Sequence, residues 1–302
     1  MSSSVPMQNA APIPPAELGM VGIVGLGLMG GSLGLALRRR HLATQVIGCG
    51  RPALVTRAIE MGAIDSGTQD VLALAKECDV IFLCTPVETS IGLLRQIALV
   101  LKPAALITDV GSTKQSFAEA ARDVFGAAAA ERVLPGHPMA GSEKSGLENA
   151  VESLYEDCLW LLTPLGHRTL PSQDALRRVL KGVGARLAEV SPAEHDRTLA
   201  YTSHLPQMLS SVLAMTLEAH FGSPENPALQ LHAGGLNSML RLAVSDPAMW
   251  EQIALSNPRN ISSALERFEA ELRHLRLCLE DGEFRRRFEA ARDFALALRN
   301  RK

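Results

Sequence analysis

The pattern of hydrophobic and polar positions along the chain changes near residue 190. In residues 20–190, short apolar runs alternate with amphipathic stretches whose apolar positions recur at helical spacing. Strands that alternate with helices are typical of a parallel sheet covered by helices on both faces. The pattern predicts strands at residues 20–24, 46–49, 79–84, 105–110, 133–134, 159–163 and 186–190, and helices at residues 31–39, 88–101 and 113–125.

From residue 191 to the end of the chain, the apolar positions recur at helical spacing only. Breaks that contain proline, at residues 222–224, 246–247 and 257–258, divide this half into helices. The segment at residues 205–217 is more apolar than one small helical domain can cover by itself. We therefore expect an all-α domain that forms a homodimer through this half.

Composition and charge exclude several classes of protein. The chain has 302 residues, of which 47% are hydrophobic and 21% charged, as in soluble globular proteins. A net charge of -2 favours neither nucleic acid nor an anionic membrane as a partner, and no apolar run is long enough to cross a bilayer. The five cysteines show no metal-binding or redox spacing, which indicates reduced thiols in a cytoplasmic protein without a metal site.

A glycine-rich turn, GLGLMG, joins the first predicted strand to the first predicted helix. Gly25 permits the tight turn, Gly27 lets a pyrophosphate approach the backbone, and Gly30 lets helix and strand pack closely. The helix begins near Leu28 and Met29, where its N–H groups and dipole favour phosphate. The motif predicts a Rossmann-type sheet that binds a dinucleotide.

The residues after the second predicted strand bear on the choice of cofactor. An acidic residue there would bind the ribose hydroxyl of NAD, but this chain has Gly50 and Arg51. The small residue leaves room for a 2′-phosphate that the guanidinium can bind, so we predict NADP in preference to NAD. The alternative is that Arg51 is an ordinary surface arginine. Thr85, Pro86 and Ser112 follow the next two strands and are expected to line the nicotinamide.

These patterns divide the chain into three predicted parts. Residues 1–19, rich in proline and small polar residues, are expected to form a disordered tail. Residues 20–190 are predicted to form the dinucleotide-binding domain. Residues 191–302 are predicted to form the helical domain for substrate binding and dimerisation.

The segment GHPMAGSEKSG at residues 136–146 carries the candidate catalytic group. His137 lies between glycine and proline, where it has little use in a helix or a core. An imidazole can accept the proton of a hydroxyl while a hydride leaves the same carbon. We predict that His137 is the base of a dehydrogenase acting on a small molecule, and the alternative is a structural histidine.

Several motifs resemble those of the prephenate and arogenate dehydrogenases of tyrosine biosynthesis. They are GLGLMGGSL, DVGSTK, GHPMAGSEKSG, SHLPQ and RLAVSDPAMW, and the resemblance runs from about residue 21 to residue 250. It implies oxidative decarboxylation of a cyclohexadienol with hydride transfer to NADP or NAD. The reaction would convert arogenate to tyrosine, or prephenate to 4-hydroxyphenylpyruvate.

The resemblance also implies roles for individual residues. His137 matches the catalytic histidine, and Ser112 matches a serine that orients it and contacts the nicotinamide. In the helical half, Arg241 matches an arginine that binds a substrate carboxylate, and His204 lies in a segment that lines the substrate pocket. Gln207 stands where many members have a histidine.

The residues Glu143 and Gln207 favour arogenate over prephenate. Glu143 can face the side-chain ammonium of arogenate, which prephenate lacks. Gln207 removes an imidazole that would suit the purely anionic side chain of prephenate. The alternative for Glu143 is a solvated glutamate paired with Lys144.

Two other functions fit the sequence less well. A β-hydroxyacid dehydrogenase requires a catalytic lysine in the helical half, and residues 191–301 contain none. A non-catalytic NADP-binding sensor has no need of His137, Ser112 and Arg241 together. Both alternatives are therefore disfavoured.

Overall fold

The computed structural model describes residues 18–141, 144–166, 170–280 and 282–300. Glu143 therefore lies outside the described residues, as do residues 1–17 of the predicted tail. Leu18 and Gly19, assigned to that tail from the sequence, instead begin the first strand. The reason is that the Leu18 side chain is buried and its N–H donates to the carbonyl of Leu42.

The strands of the described chain form two sheets. They are β1 (Leu18–Val24), β2 (Ala43–Cys49), β3 (Ser66–Thr68), β4 (Val80–Leu83), β5 (Leu106–Asp109), β6 (Gly136–Pro138), β7 (Leu159–Leu162) and β8 (Arg186–Glu189). The first sheet is parallel, in the order β3-β2-β1-β4-β5. This order, in which the chain reverses direction across the sheet at β1, confirms the predicted Rossmann-type fold.

Helices cover this sheet and form most of the described chain after residue 191. They are α1 (Leu28–Arg39), α2 (Pro52–Glu60), α3 (Val71–Glu77), α4 (Val87–Ile97), α5 (Gln115–Phe125), α6 (Ala129–Arg132), α7 (Pro171–Gly182), α8 (Pro192–Leu199), α9 (Leu205–Phe221), α10 (Gly234–Leu240), α11 (Pro247–Ser256), α12 (Pro258–Leu277) and α13 (Glu283–Arg299). Several begin with proline, whose missing N–H costs nothing in the first turn. None of the helices in the described ranges is long and apolar enough to cross a membrane.

The second sheet differs from the prediction. Val133, predicted to lie in a strand, forms only an isolated bridge to Ile107. The strand itself is β6, three residues later, and it pairs antiparallel with β7, while β7 pairs parallel with β8. Pro138 cannot donate a hydrogen bond, which suits β6 to the edge that it occupies. Strand β3 was missed because its sequence, Ser-Gly-Thr, has no apolar run.

The chain divides into two compact units, Met1–Asp196 with Val244–Ser256, and Arg197–Ala243 with Asn257–Lys302. In the first unit, buried apolar side chains form a core cluster on each face of the parallel sheet. Helix α11 belongs to this unit and packs against α4. In the second unit, α9 packs against α10 and α12. No residue after 190 that the structure describes forms a strand, which agrees with the predicted helical half.

Candidate active site

The glycine-rich turn joins β1 to α1. Gly25 has a φ of +98°, and a Cβ there would lie 2.5 Å from the Cys84 carbonyl oxygen. A Cβ on Gly30 would lie 2.0 Å from the carbonyl oxygen of Gly25. In contrast, a Cβ on Gly27 would have nothing within 4 Å, and no side chain caps the first turn of α1. The residues present therefore fit a dinucleotide, whose phosphates can approach the backbone and the helix N-terminus.

Gly50 and Arg51 lie beside this turn. Strands β1 and β2 run parallel in register, and the N–H of Gly25 donates to the carbonyl of Cys49 over 3.0 Å. The exposed Arg51 precedes α2, and its guanidinium makes no ion pair within the described chain. Arg51 is thus an exposed cation two residues after the end of β2.

The loops after β4 and β5 reach the same edge of the sheet. The N–H of Cys84 donates to Val24 over 2.7 Å, which places Thr85 and Pro86 next to the glycine-rich turn. The Thr85 hydroxyl lies 2.8 Å from the Ser90 hydroxyl, and Pro86 precedes α4. Ser112, half-buried, lies in the loop between β5 and α5. The structure thus brings the predicted cofactor-binding loops together at the carboxyl edge.

A buried ion pair between Asp109 and Lys114 lies at this edge. Burial lowers the pKa of the Lys114 ammonium, and the attraction of the Asp109 carboxylate acts in the opposite direction. The same carboxylate accepts the N–H of Gly111 at 3.0 Å and that of Gly136 at 3.1 Å. Asp109 therefore links the loop of Ser112 to the first residue of β6, directly before His137.

His137, predicted to be catalytic, lies on β6 and is 8% exposed. Its Nδ1 lies 2.9 Å from Nε2 of His195, and Nδ1 of His195 lies 2.8 Å from Oδ1 of Asp196. The carboxylate of Asp196 also accepts the N–H of Lys114 at 2.7 Å and that of Gln115 at 2.9 Å, at the start of α5. His137 thus ends a chain of hydrogen bonds anchored on a helix N-terminus.

Sequence reasoning missed His195 and Asp196. Both are almost fully buried, His195 at 0% and Asp196 at 1% exposure. They follow Ser191-Pro192 in a polar stretch, where an adjacent histidine and aspartate read as an exposed helix face. The available signal was the pair itself, a histidine beside a carboxylate, which recurs where an imidazole must be oriented.

The remaining predicted residues lie in the second unit. His204 is buried at the end of a π-helical turn, Ala200–His204, that leads into α9. Gln207 is also buried, and its amide nitrogen donates to the carbonyl of Leu242 over 2.8 Å. Leu242 follows the exposed Arg241 in the turn after α10. Gln207 therefore holds the backbone of the turn that carries Arg241, a role that its sequence position did not indicate.

Family models match both halves of the chain. The nucleotide-binding domain of prephenate dehydrogenase matches residues 33–189, and the prephenate dehydrogenase dimerization domain matches residues 191–291. Over 278 residues, the chain is 33% identical to prephenate dehydrogenase of Bacillus subtilis. The aligned region covers 90% of this chain and 74% of the relative.

Solved structures give the same result. Prephenate dehydrogenase from A. aeolicus, in complex with hydroxyphenyl propionate and NAD+, superposes with a TM-score of 0.84 and 31% identity, over 93% of this chain and 98% of that one. Synechocystis arogenate dehydrogenase superposes with a TM-score of 0.78 and 30% identity, over 92% and 99% of the two chains.

Proposed function

The chain belongs to the prephenate dehydrogenase family, and from this premise we infer that it carries out the NAD(P)-linked oxidative decarboxylation of a cyclohexadienol in tyrosine biosynthesis. The observation that carries the proposal is the position of His137. It lies beside the carboxyl end of β5, at the edge where the cofactor-binding loops meet, and its imidazole is held by His195. The relatives favour neither a β-hydroxyacid dehydrogenase nor a sensor protein.

The chemistry needs few groups from the protein. When bound, the nicotinamide supplies the acceptor for a hydride from the ring carbon that bears the hydroxyl. The imidazole of His137 takes the hydroxyl proton, which leaves a carbonyl conjugated through the ring to the carbon that bears the carboxylate. The electrons of the bond to the departing CO₂ then pass into the ring, which becomes aromatic. The buried, oriented imidazole lowers the barrier because its reacting nitrogen is positioned before the substrate arrives.

The substrate is prephenate or arogenate, and we expect arogenate to be preferred. Glu143 offers a carboxylate to its ammonium, and one well-placed charge pair contributes about 1–3 kcal/mol. This corresponds to roughly five- to a hundredfold in kcat/KM. The measurement is a steady-state comparison of both substrates with both cofactors.

The same comparison distinguishes the two interpretations of Glu143, as a partner of the arogenate ammonium or as a solvated glutamate. Glu143→Gln should reduce the preference mainly by lowering kcat/KM for arogenate. Glu148→Gln, at an exposed glutamate five positions later, should leave the preference unchanged. A wild-type preference for prephenate would show that the charge argument is wrong. Turnover of neither substrate with either cofactor would contradict the proposed function itself.

We also propose NADP as the preferred cofactor, because the Arg51 guanidinium makes no ion pair with the described residues and a 2′-phosphate would supply one. Arg51→Ala should raise the KM for NADP about ten- to a hundredfold, the loss of a charge-assisted hydrogen bond worth about 1.5–3 kcal/mol. The KM for NAD should change by less than about twofold. Arg57→Ala, on the helix that follows Arg51 and paired with Glu60, is the matched control.

One result would reverse this assignment of the cofactor. The A. aeolicus relative was crystallised with NAD+. If the unmutated chain also has the higher kcat/KM with NAD, Arg51 is an ordinary surface arginine.

The dimerization domain matched by residues 191–291 suggests a homodimer. Large apolar side chains are exposed on the second unit of the single chain, among them Val212, Met215, Leu272, Phe288 and Phe294. We expect sedimentation velocity to give twice the chain mass of 32.4 kDa at micromolar concentration. A stable monomer under those conditions would leave these side chains without the cover that the dimer provides.

A further inference from the structure

We propose that Asp196 and His195 are positioning residues that keep His137 in the tautomer able to accept a proton at Nε2. The proposal rests on the proposed function, since it concerns how the base of that reaction is prepared. It assigns a role to two buried residues that the reaction itself does not otherwise use.

Asp196 determines which groups donate and which accept in this chain of hydrogen bonds. Its two carboxylate oxygens accept the backbone N–H groups of Lys114, just before α5, and of Gln115, its first residue, where the helix dipole also favours negative charge. An ionised carboxylate can only accept. Nδ1 of His195, 2.8 Å from Oδ1, must therefore carry the proton of that hydrogen bond.

The second step concerns the imidazole of His195. A neutral imidazole carries one N–H, so a proton on Nδ1 leaves Nε2 as an acceptor. Nε2 lies 2.9 Å from Nδ1 of His137, which must then donate. The proton of a neutral His137 is thus placed on Nδ1, and its Nε2 keeps the lone pair that a base requires.

The charges around the pair favour this assignment. Lys114 lies close enough to Asp196 for the two charges to interact, and it is itself paired with Asp109. A second buried cation, on His195, would face that ammonium. Once His137 has taken the substrate proton, its positive charge is stabilised by the hydrogen bonds that run through His195 to the carboxylate of Asp196. Other catalytic histidines are stabilised by a buried aspartate in a similar way.

Two substitutions of His195 separate orientation from packing. In His195→Gln, the amide oxygen can reach the position of Nε2 and accept from His137. In His195→Asn, the shorter side chain can donate to Asp196 but does not reach His137. Both variants keep Asp196 and its hydrogen bonds to α5, so the helix start is preserved in each. The exposed His220→Asn serves as the control.

We expect His195→Asn to lower kcat at least about tenfold, because removing a group that orients a functional histidine costs about ten- to ten-thousandfold. Its KM for substrate should stay within about twofold of the wild-type value, and His195→Gln should recover at least half of the loss on a logarithmic scale. Equal values of kcat in the two variants would overturn the proposal, because a purely structural role affects both alike.

A spectroscopic measurement tests the tautomer without relying on turnover. In the full-length protein labelled with ¹⁵N-histidine, long-range ¹H–¹⁵N correlations report which ring nitrogen carries the proton, and His137→Asn identifies the signal. We expect the neutral His137 of the wild type to carry its proton on Nδ1. A proton on Nε2 would overturn the proposal. Should the wild type turn over neither substrate, the proposed function fails, and this measurement still decides the tautomer.

Discussion

Replacing His137 by asparagine is expected to lower kcat by about 10²–10⁴-fold, the usual contribution of a positioned acid–base group. The fold should persist, because the amide nitrogen of asparagine can take the place of Nδ1 and donate to Nε2 of His195. Nothing in the shorter side chain replaces Nε2, so the base is lost while its support remains. The variant therefore separates catalysis from structure.

Three measurements check this expectation. The kcat follows from the absorbance of the reduced cofactor, cofactor binding from its fluorescence, and the fold from the melting temperature. A base acts only when unprotonated, so kcat/KM of the wild type should rise with pH as the base loses its proton, and the variant should lose this rise. The exposed His220→Asn is the control. A kcat close to wild type would remove His137 from the mechanism.

Replacing Arg241 by alanine is expected to raise the KM for substrate at least about tenfold. A charge-assisted hydrogen bond to a carboxylate contributes about 1.5–3 kcal/mol, and each ~1.4 kcal/mol corresponds to a factor of ten. The backbone of this turn should survive the change, because Gln207 holds it through the carbonyl of Leu242 and not through the arginine side chain.

The affinity for the dinucleotide should remain unchanged in Arg241→Ala. Arg241→Lys keeps the charge without the planar pair of donors, so its KM for substrate should lie between those of Arg241→Ala and the wild type. Arg259→Ala removes another exposed arginine of the same unit and serves as the control. An unchanged KM in Arg241→Ala would show that the arginine binds something other than the substrate carboxylate.

The cofactor-binding turn was predictable because its constraints are local. Gly25 needs a positive φ, and Gly30 needs room for the carbonyl of Gly25, five residues earlier. Both demands act within one strand, one turn and one helix, so a short motif expresses them. The same is true of the helices that begin with proline, since the missing N–H matters only in relation to the next few residues.

The second sheet was only partly predictable. Strand β7 was located from its apolar run, but nothing in the sequence near β6 indicates that it pairs antiparallel with β7 and stays apart from the parallel sheet. Pairing depends on which strand edge the chain meets after folding. Strand β3, with the sequence Ser-Gly-Thr, exists because β2 offers it an edge and not because of its own residues.

The amino-acid pattern alone determined the Rossmann-type sheet, the helical second half, the glycine-rich turn and the choice of His137 as candidate base. The tertiary structure decided how that base is held. His137 and His195 are 58 positions apart, and Asp196 reaches the start of α5 across 82 positions. Hydrogen bonds of this span depend on packing, and local periodicity carries no information about them, because each residue alone looks like an ordinary polar position of a helix or loop.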